Sequence, residues 1–191
     1  NVSDPIGGAG AMIVGMARTP FLQGALSWVY DGDVPDACAE CGYDWSTSSN
    51  DALAVIADSR RAYADLLDGR DGTVPADDGG WNATAYVYHL ADLARSWSER
   101  WVLLAEAPDS LLAGWDPDEI ANARNYRNLP TVAALWSLDR DVSTFVELST
   151  VLDHATTFQH GDWGTGSIGD ALVWLGHEFG HHQLDVAARA R

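Results

Sequence analysis

Positive charge is scarce in this chain: 11 Lys and Arg stand against 28 Asp and Glu, for a formal net charge of -17. Nucleic-acid binding is excluded on that count, because a phosphate backbone calls for a basic surface. An anionic membrane surface is disfavoured for the same reason, and the acidity reads as a contribution to solubility. Cysteine is almost absent. Cys38 and Cys41 are the two in the sequence, too few for a disulfide scaffold. No apolar run reaches the roughly 18 residues needed to span a bilayer. Residues 1–15, NVSDPIGGAGAMIVG, lack the basic start and long apolar stretch of a secretory signal. They also differ in character from the rest of the chain. They are expected to be an appended remnant or a disordered N-terminus, with a natural start at Met12 or Met16 and a cytoplasmic home. Strand-period alternation, internal repeats and low-complexity segments are missing too.

Apolar residues are plentiful, at 47% of 191 positions, and nine are Trp. That composition can bury a core and build a cavity with large flat walls. The apolar residues recur at helical spacing in four stretches. Ser48, Ser49 or Asn50 caps a first helix that ends near Gly69 and carries Leu53, Ile56, Tyr63 and Leu67. A second runs from about Asn82 to Glu106, with Tyr86, Leu90, Leu93, Trp97, Trp101 and Leu104 in one stripe. A third covers about Thr131 to Leu152, and a fourth starts near Ser167. A short helix is expected near Leu22 to Tyr30, and another is compatible with the connection from Pro108 to Pro130. The expected fold is all-α, a four-helix bundle. The long connection between its second and third helices lets those two run parallel.

The segment WLGHEFGHHQLD contains His177-Glu178-Phe179-Gly180-His181, the H-E-x-x-H pattern of zinc proteases. Two histidines four apart on a helix point the same way, but a catalytic zinc needs a third protein ligand. The residues after His181 offer only Asp185 for that part, and the extended protease motif would place Gly where Leu184 stands. No strand edge is evident to align a peptide. The protease reading is therefore set aside. His89 lies beside Leu90 at the edge of the second helix's buried stripe, so His89, His177 and His181 are the candidate ligands, three nitrogens with open positions.

Other residues carry two readings each. Glu178 is a candidate general base or an acceptor for a ligand imidazole, against a solvated carboxylate. His182 is expected to point away from the ligand face. Asp92 either orients an imidazole or faces water. Arg95 and Arg100 either meet a carboxylate of a cosubstrate or pair with nearby acids. Cys38-x-x-Cys41 with His154 and His160 would complete a Cys₂His₂ zinc site; the alternatives are a redox pair or loop packing. Most aromatics belong to the core, while Trp115, Trp163, Trp174 and Tyr86 are the candidates to wall a pocket.

Taken together, YHLADLARSW on one helix, GWDPDE in the following loop and HGDWGTGSIGDALVWLGHEFGHHQLD at the end resemble the DinB-like superfamily. That group includes the YfiT-like proteins and the mycothiol-dependent transferases and maleylpyruvate isomerases. CAECGYDW resembles the C-P-x-C-G-[FY]-D start of actinobacterial members, and the likeness covers roughly residues 36 to 190. It implies a single DinB-like four-helix-bundle domain over 16–191. It also implies a divalent metal held by one side chain on the second helix and two, four residues apart, on the last. Those positions correspond to His89, His177 and His181; some members have Glu in place of the first of the final pair. Zinc is the expected ion, with nickel or iron also suited. The implied function is metal-dependent thiol transfer or isomerisation on a small organic substrate, with a mycothiol-like cosubstrate. A tailoring enzyme of specialised metabolism that uses no thiol, and a non-catalytic metal or small-molecule binding protein, are the alternatives. A homodimer is compatible with all three.

Overall fold

The computed structural model describes residues 20–27 and 35–191. The stretch 1–15 expected to be a remnant, and the end of the short helix expected near Tyr30, lie outside them. In chain order the elements are α1 (Pro20–Ser27), α2 (Ser49–Leu67), α3 (Ala83–Glu106), β1 (Leu111–Leu112), α4 (Pro117–Ala123), α5 (Thr131–Val151), β2 (Thr157–His160), β3 (Gly164–Ser167) and α6 (Ile168–Arg189). A single 3₁₀ turn, Tyr126–Asn128, leads into α5.

The long helices start where side chains can take up their first free N–H groups. The Ser48 side chain accepts from the N–H of Asp51, and that of Asn82 from the N–H of Ala85. Ser167 and Asp170 form a reciprocal capping box at the head of α6. The stripes then meet in one core, in which Tyr63, Leu90, Trp97, Trp101, Leu138, Phe145 and Phe179 are fully buried. Each such side chain contributes about 1.5–3 kcal/mol relative to exposure.

The bundle is built from two parallel pairs. Thr84 meets Thr131 at the heads of α3 and α5, and further along Trp101 Nε1 donates to Ser149 Oγ. Between α2 and α6, Gly176 lies against Ala52, and just past both helices the N–H of Asp71 donates to the Arg191 carbonyl. The pairs pack on each other in opposite directions. Ser49 bonds His154 while Arg60 bonds Ser143, and Trp97 meets Trp174 while His89 meets His182.

The absence of strands expected from the sequence is corrected by a small sheet of order β1-β2-β3, parallel between β1 and β2 and antiparallel between β2 and β3. Strands of two to four residues are too short to show an alternation. The sheet caps one end of the bundle under α1. Gly166 is required there, because a Cβ at that position would lie 2.4 Å from Phe21 Cβ. No helix among the described residues is long and apolar enough to cross a membrane.

Candidate metal centre

Successive residues on α6 turn by about 100°, so the segment from His177 to His182 carries two interleaved pairs, each with a spacing of four. His177 and His181 share one face; Glu178 and His182 share the next. Different neighbours wait on the two faces. The segment from Ala37 to Trp45 covers the first, and α3 covers the second.

On the α3 side, donor atoms of His89, Glu178 and His182 lie within 4.8 Å of one another. Glu178 Oε2 is 3.5 Å from His182 Nε2 and 4.0 Å from His89 Nε2. His182 is oriented from behind: its Nδ1 lies 2.8 Å from Asp185 Oδ2, which presents Nε2 to Glu178. Burial would lower the proton affinity of His182, but Asp185 and Glu178 outweigh it and push the imidazole up to about 9. Burial dominates at His89 and lowers its pKa, against the pull of Glu178. At Glu178 burial opposes the charge, yet the adjacent imidazoles of His177, His182 and His89 hold the carboxyl well below its usual range. Two imidazoles and an ionised carboxylate form a donor set that suits a divalent ion, and a carboxylate behind one imidazole is the usual way of fixing its tautomer. The residues present therefore fit a metal.

On the opposite face, Cys38, Cys41, His177 and His181 also bring donor atoms within 4.8 Å of one another. Cys38 Sγ is 3.7 Å from His181 Nδ1. The three imidazoles expected around one ion are thus divided between two groups: His89 on the α3 side, His177 and His181 on the other. The rotational setting of α6 decides this, because one residue of phase exchanges one pair for the other. His182, expected to point away, faces His89 instead, at 5.5 Å between ring centroids. Glu178, weighed against a solvated carboxylate, has only 17% of its side chain exposed. The histidines expected to join the cysteines lie elsewhere. His154 sits between Ser49 Oγ and the Ser149 carbonyl, and His160 stacks on Trp163 at 4.4 Å.

The α3-side group opens onto a cavity of about 490 Å³. Tyr86, Trp115, Trp163 and Trp174 line it, as do His89, Glu178 and His182. Trp81, Trp97, Arg100, Asp118 and Asp162 also belong to the wall. Arg100 lies over the Trp97 ring at 4.6 Å and donates to the Ala113 carbonyl. Burial lowers its pKa to about 10, with Asp162 opposing. Arg95, by contrast, is spent on Asp92 and Glu99. Asp92 neither orients an imidazole nor faces water. It is buried and takes hydrogen bonds from Arg124 and Tyr126, tying α3 to the connection that ends in α5.

No family model matches the chain, and no curated protein does. Among solved structures it is similar to YfiT from Bacillus subtilis, described as a probable metal-dependent hydrolase with an unusual four-helix bundle topology. The TM-score is 0.61 at 17% identity, over 84% of this chain and 94% of that one. The two chains share the fold of a four-helix bundle. Sequence reasoning overlooked His182 as a donor and Asp185 as its support. Glu178 and His182 stand four apart just as His177 and His181 do, and that spacing was the signal available.

Proposed function

We propose that the protein is a metal-dependent enzyme that acts on a small, largely apolar organic molecule, with His89, Glu178 and His182 holding the ion. One observation carries this reading: all three donors line the tryptophan-walled cavity, so whatever enters it meets the donor set. Three protein donors leave coordination positions for a substrate. When bound, the ion supplies Lewis acidity and lowers the pKa of a water or thiol. Asp185 keeps His182 in the donor tautomer. Glu178 passes from candidate general base to ligand. His177 and His181 pass out of this centre. Arg100 offers a cation at the wall for a substrate or cosubstrate carboxylate.

The YfiT description supports water as the nucleophile. The finer reading, thiol transfer or isomerisation with a mycothiol-like cosubstrate, draws on the same open coordination positions, which a thiolate would fill as well as water. Zinc, nickel and iron(II) all suit two imidazoles and a carboxylate.

The test is turnover of a panel of small esters, amides and electrophilic alkenes by metal-loaded protein, with and without mycothiol, read by mass spectrometry. Metal-dependent conversion is expected, falling at least about a hundredfold in Glu178→Gln and His89→Ala variants that keep their helicity. A thioether product assigns the thiol reaction and a hydrolysed product the water reaction. Conversion that survives both substitutions and removal of the ion would end the proposal.

A further inference from the structure

The second donor group lies outside the cavity: none of Cys38, Cys41, His177 and His181 lines it. Its backbone is shaped for a closed site. Cys38 and Cys41 sit on a tight turn in which the N–H of Gly42 donates to the Cys38 carbonyl at 2.9 Å. The N–H of Cys38 donates to the Tyr43 carbonyl at 2.8 Å. Gly42 has φ +74°, in the left-handed region that glycine occupies without strain. An Ala37–Asp44 bridge closes the hairpin behind it.

From α6, His177 enters the group with 3% of its surface exposed, and neither ring nitrogen makes a hydrogen bond among the described residues. A buried imidazole left in that state is costly and needs a further partner. Its Nδ1 lies 3.4 Å from Glu178 Oε1, without hydrogen-bond geometry, and Trp45 covers the ring at 4.5 Å. His181 has its Nδ1 toward Cys38 and its Nε2 3.4 Å from Glu40. His181 thus has a carboxylate beside one nitrogen and turns the other toward Cys38, while His177 is left with Nε2 unbonded and turned away from Glu178. The Cys38–His181 separation of 3.7 Å is close to the edge of about 3.6 Å expected for a tetrahedron with Zn–S near 2.3 Å and Zn–N near 2.0–2.1 Å.

We propose that Cys38, Cys41, His177 and His181 form a structural zinc site, distinct from the cavity centre, that fastens the segment 35–47 to α6. Two thiolates and two imidazoles favour zinc over the harder divalent ions. Binding releases the two thiol protons to solvent and leaves a complex of zero net charge, as suits a site in which Cys38 and His177 are buried. The Glu178 carboxylate stands between the centres, with one oxygen toward His177 and the other toward His89 and His182. The clamp therefore also sets the position of the residue proposed to bind the catalytic ion.

The test uses the intact protein. Elemental analysis is expected to find one zinc per chain that persists in His89→Ala and is lost in Cys41→Ser and in Cys38→Ser. Substitution of the wild-type protein with cobalt(II) is expected to give tetrahedral d–d bands and thiolate-to-cobalt charge transfer, retained in Glu178→Gln. Both thiols are expected to resist a thiol reagent until zinc is chelated. The cobalt and thiol measurements need no variant, so a folding failure of Cys38→Ser does not decide the matter. Wild-type protein whose two thiols react at once without releasing zinc, or whose cobalt form shows no thiolate transition, overturns the site. Loss of turnover in His89→Ala with the cobalt–thiolate spectrum intact supports both proposals and keeps them separate.

Discussion

Asp185 has no place in the donor set, yet it decides which His182 nitrogen faces Glu178. Replacing it with Asn keeps the shape and removes the charge. Metal affinity at the cavity centre is expected to fall about 10- to 100-fold, measured by competition with a chelator, while the thiolate–cobalt spectrum of the second site stays unchanged. His160 tests a different residue-scale effect. Burial, together with the nearby Arg100, lowers its pKa from 6.5 to about 4. Between those values the unfolded chain takes up a proton that the folded chain refuses. The stability this contributes is therefore complete above pH 6.5 and drains away as pH falls toward 4. Urea unfolding at pH 7 and pH 4.5 is expected to show His160→Gln losing roughly 1–2 kcal/mol less than the wild type over that interval. At this scale the sequence was legible in kind and ambiguous in phase. HEFGHH offers two pairs of candidate ligands, but which of them faces His89 depends on the rotation of α6. That rotation is fixed by packing against α2 and α3, contacts that no local spacing encodes.

Two glycines of α6 one turn apart separate packing from propensity. A Cβ at Gly176 would stand 2.9 Å from Ala52 Cβ and 3.1 Å from its Cα, so α2 would have to move. Gly176→Ala is expected to cost about 1–3 kcal/mol in chemical unfolding. A Cβ at Gly180 meets only Val55 Cγ1 at 3.7 Å, an ordinary contact. Gly180→Ala is expected to stabilise by about 0.5–1 kcal/mol through helix propensity alone. The four long helices were readable because each presents a continuous stripe and begins at Ser48, Asn82, Pro130 or Ser167, residues that mark helix starts. The sheet was not readable. Phe158 and His160 face inward over a strand of four residues, and two inward positions do not make a period. Its pairing with Leu111–Leu112 joins parts of the chain that no local pattern relates.

At the scale of the molecule, a formal charge of -17 repels itself, and most of the carboxylates among the described residues are in contact with solvent. Raising salt from about 10 to about 300 mM shortens the screening distance from roughly 30 Å to under 8 Å. Scanning calorimetry of metal-loaded protein is expected to show Tm rising over that range, with the largest part of the gain at the low-salt end. The parallel pairing of helices has a consequence of another kind, in the order of events. α2 ends at Leu67 and its partner α6 begins at Ile168, so the loop between them must close before their shared face is covered. Distant pairing of this sort slows folding relative to a bundle of successive hairpins. During synthesis, α2 leaves the ribosome long before α6 exists, and the part of its apolar side that α6 covers stays open to chaperones until that helix arrives.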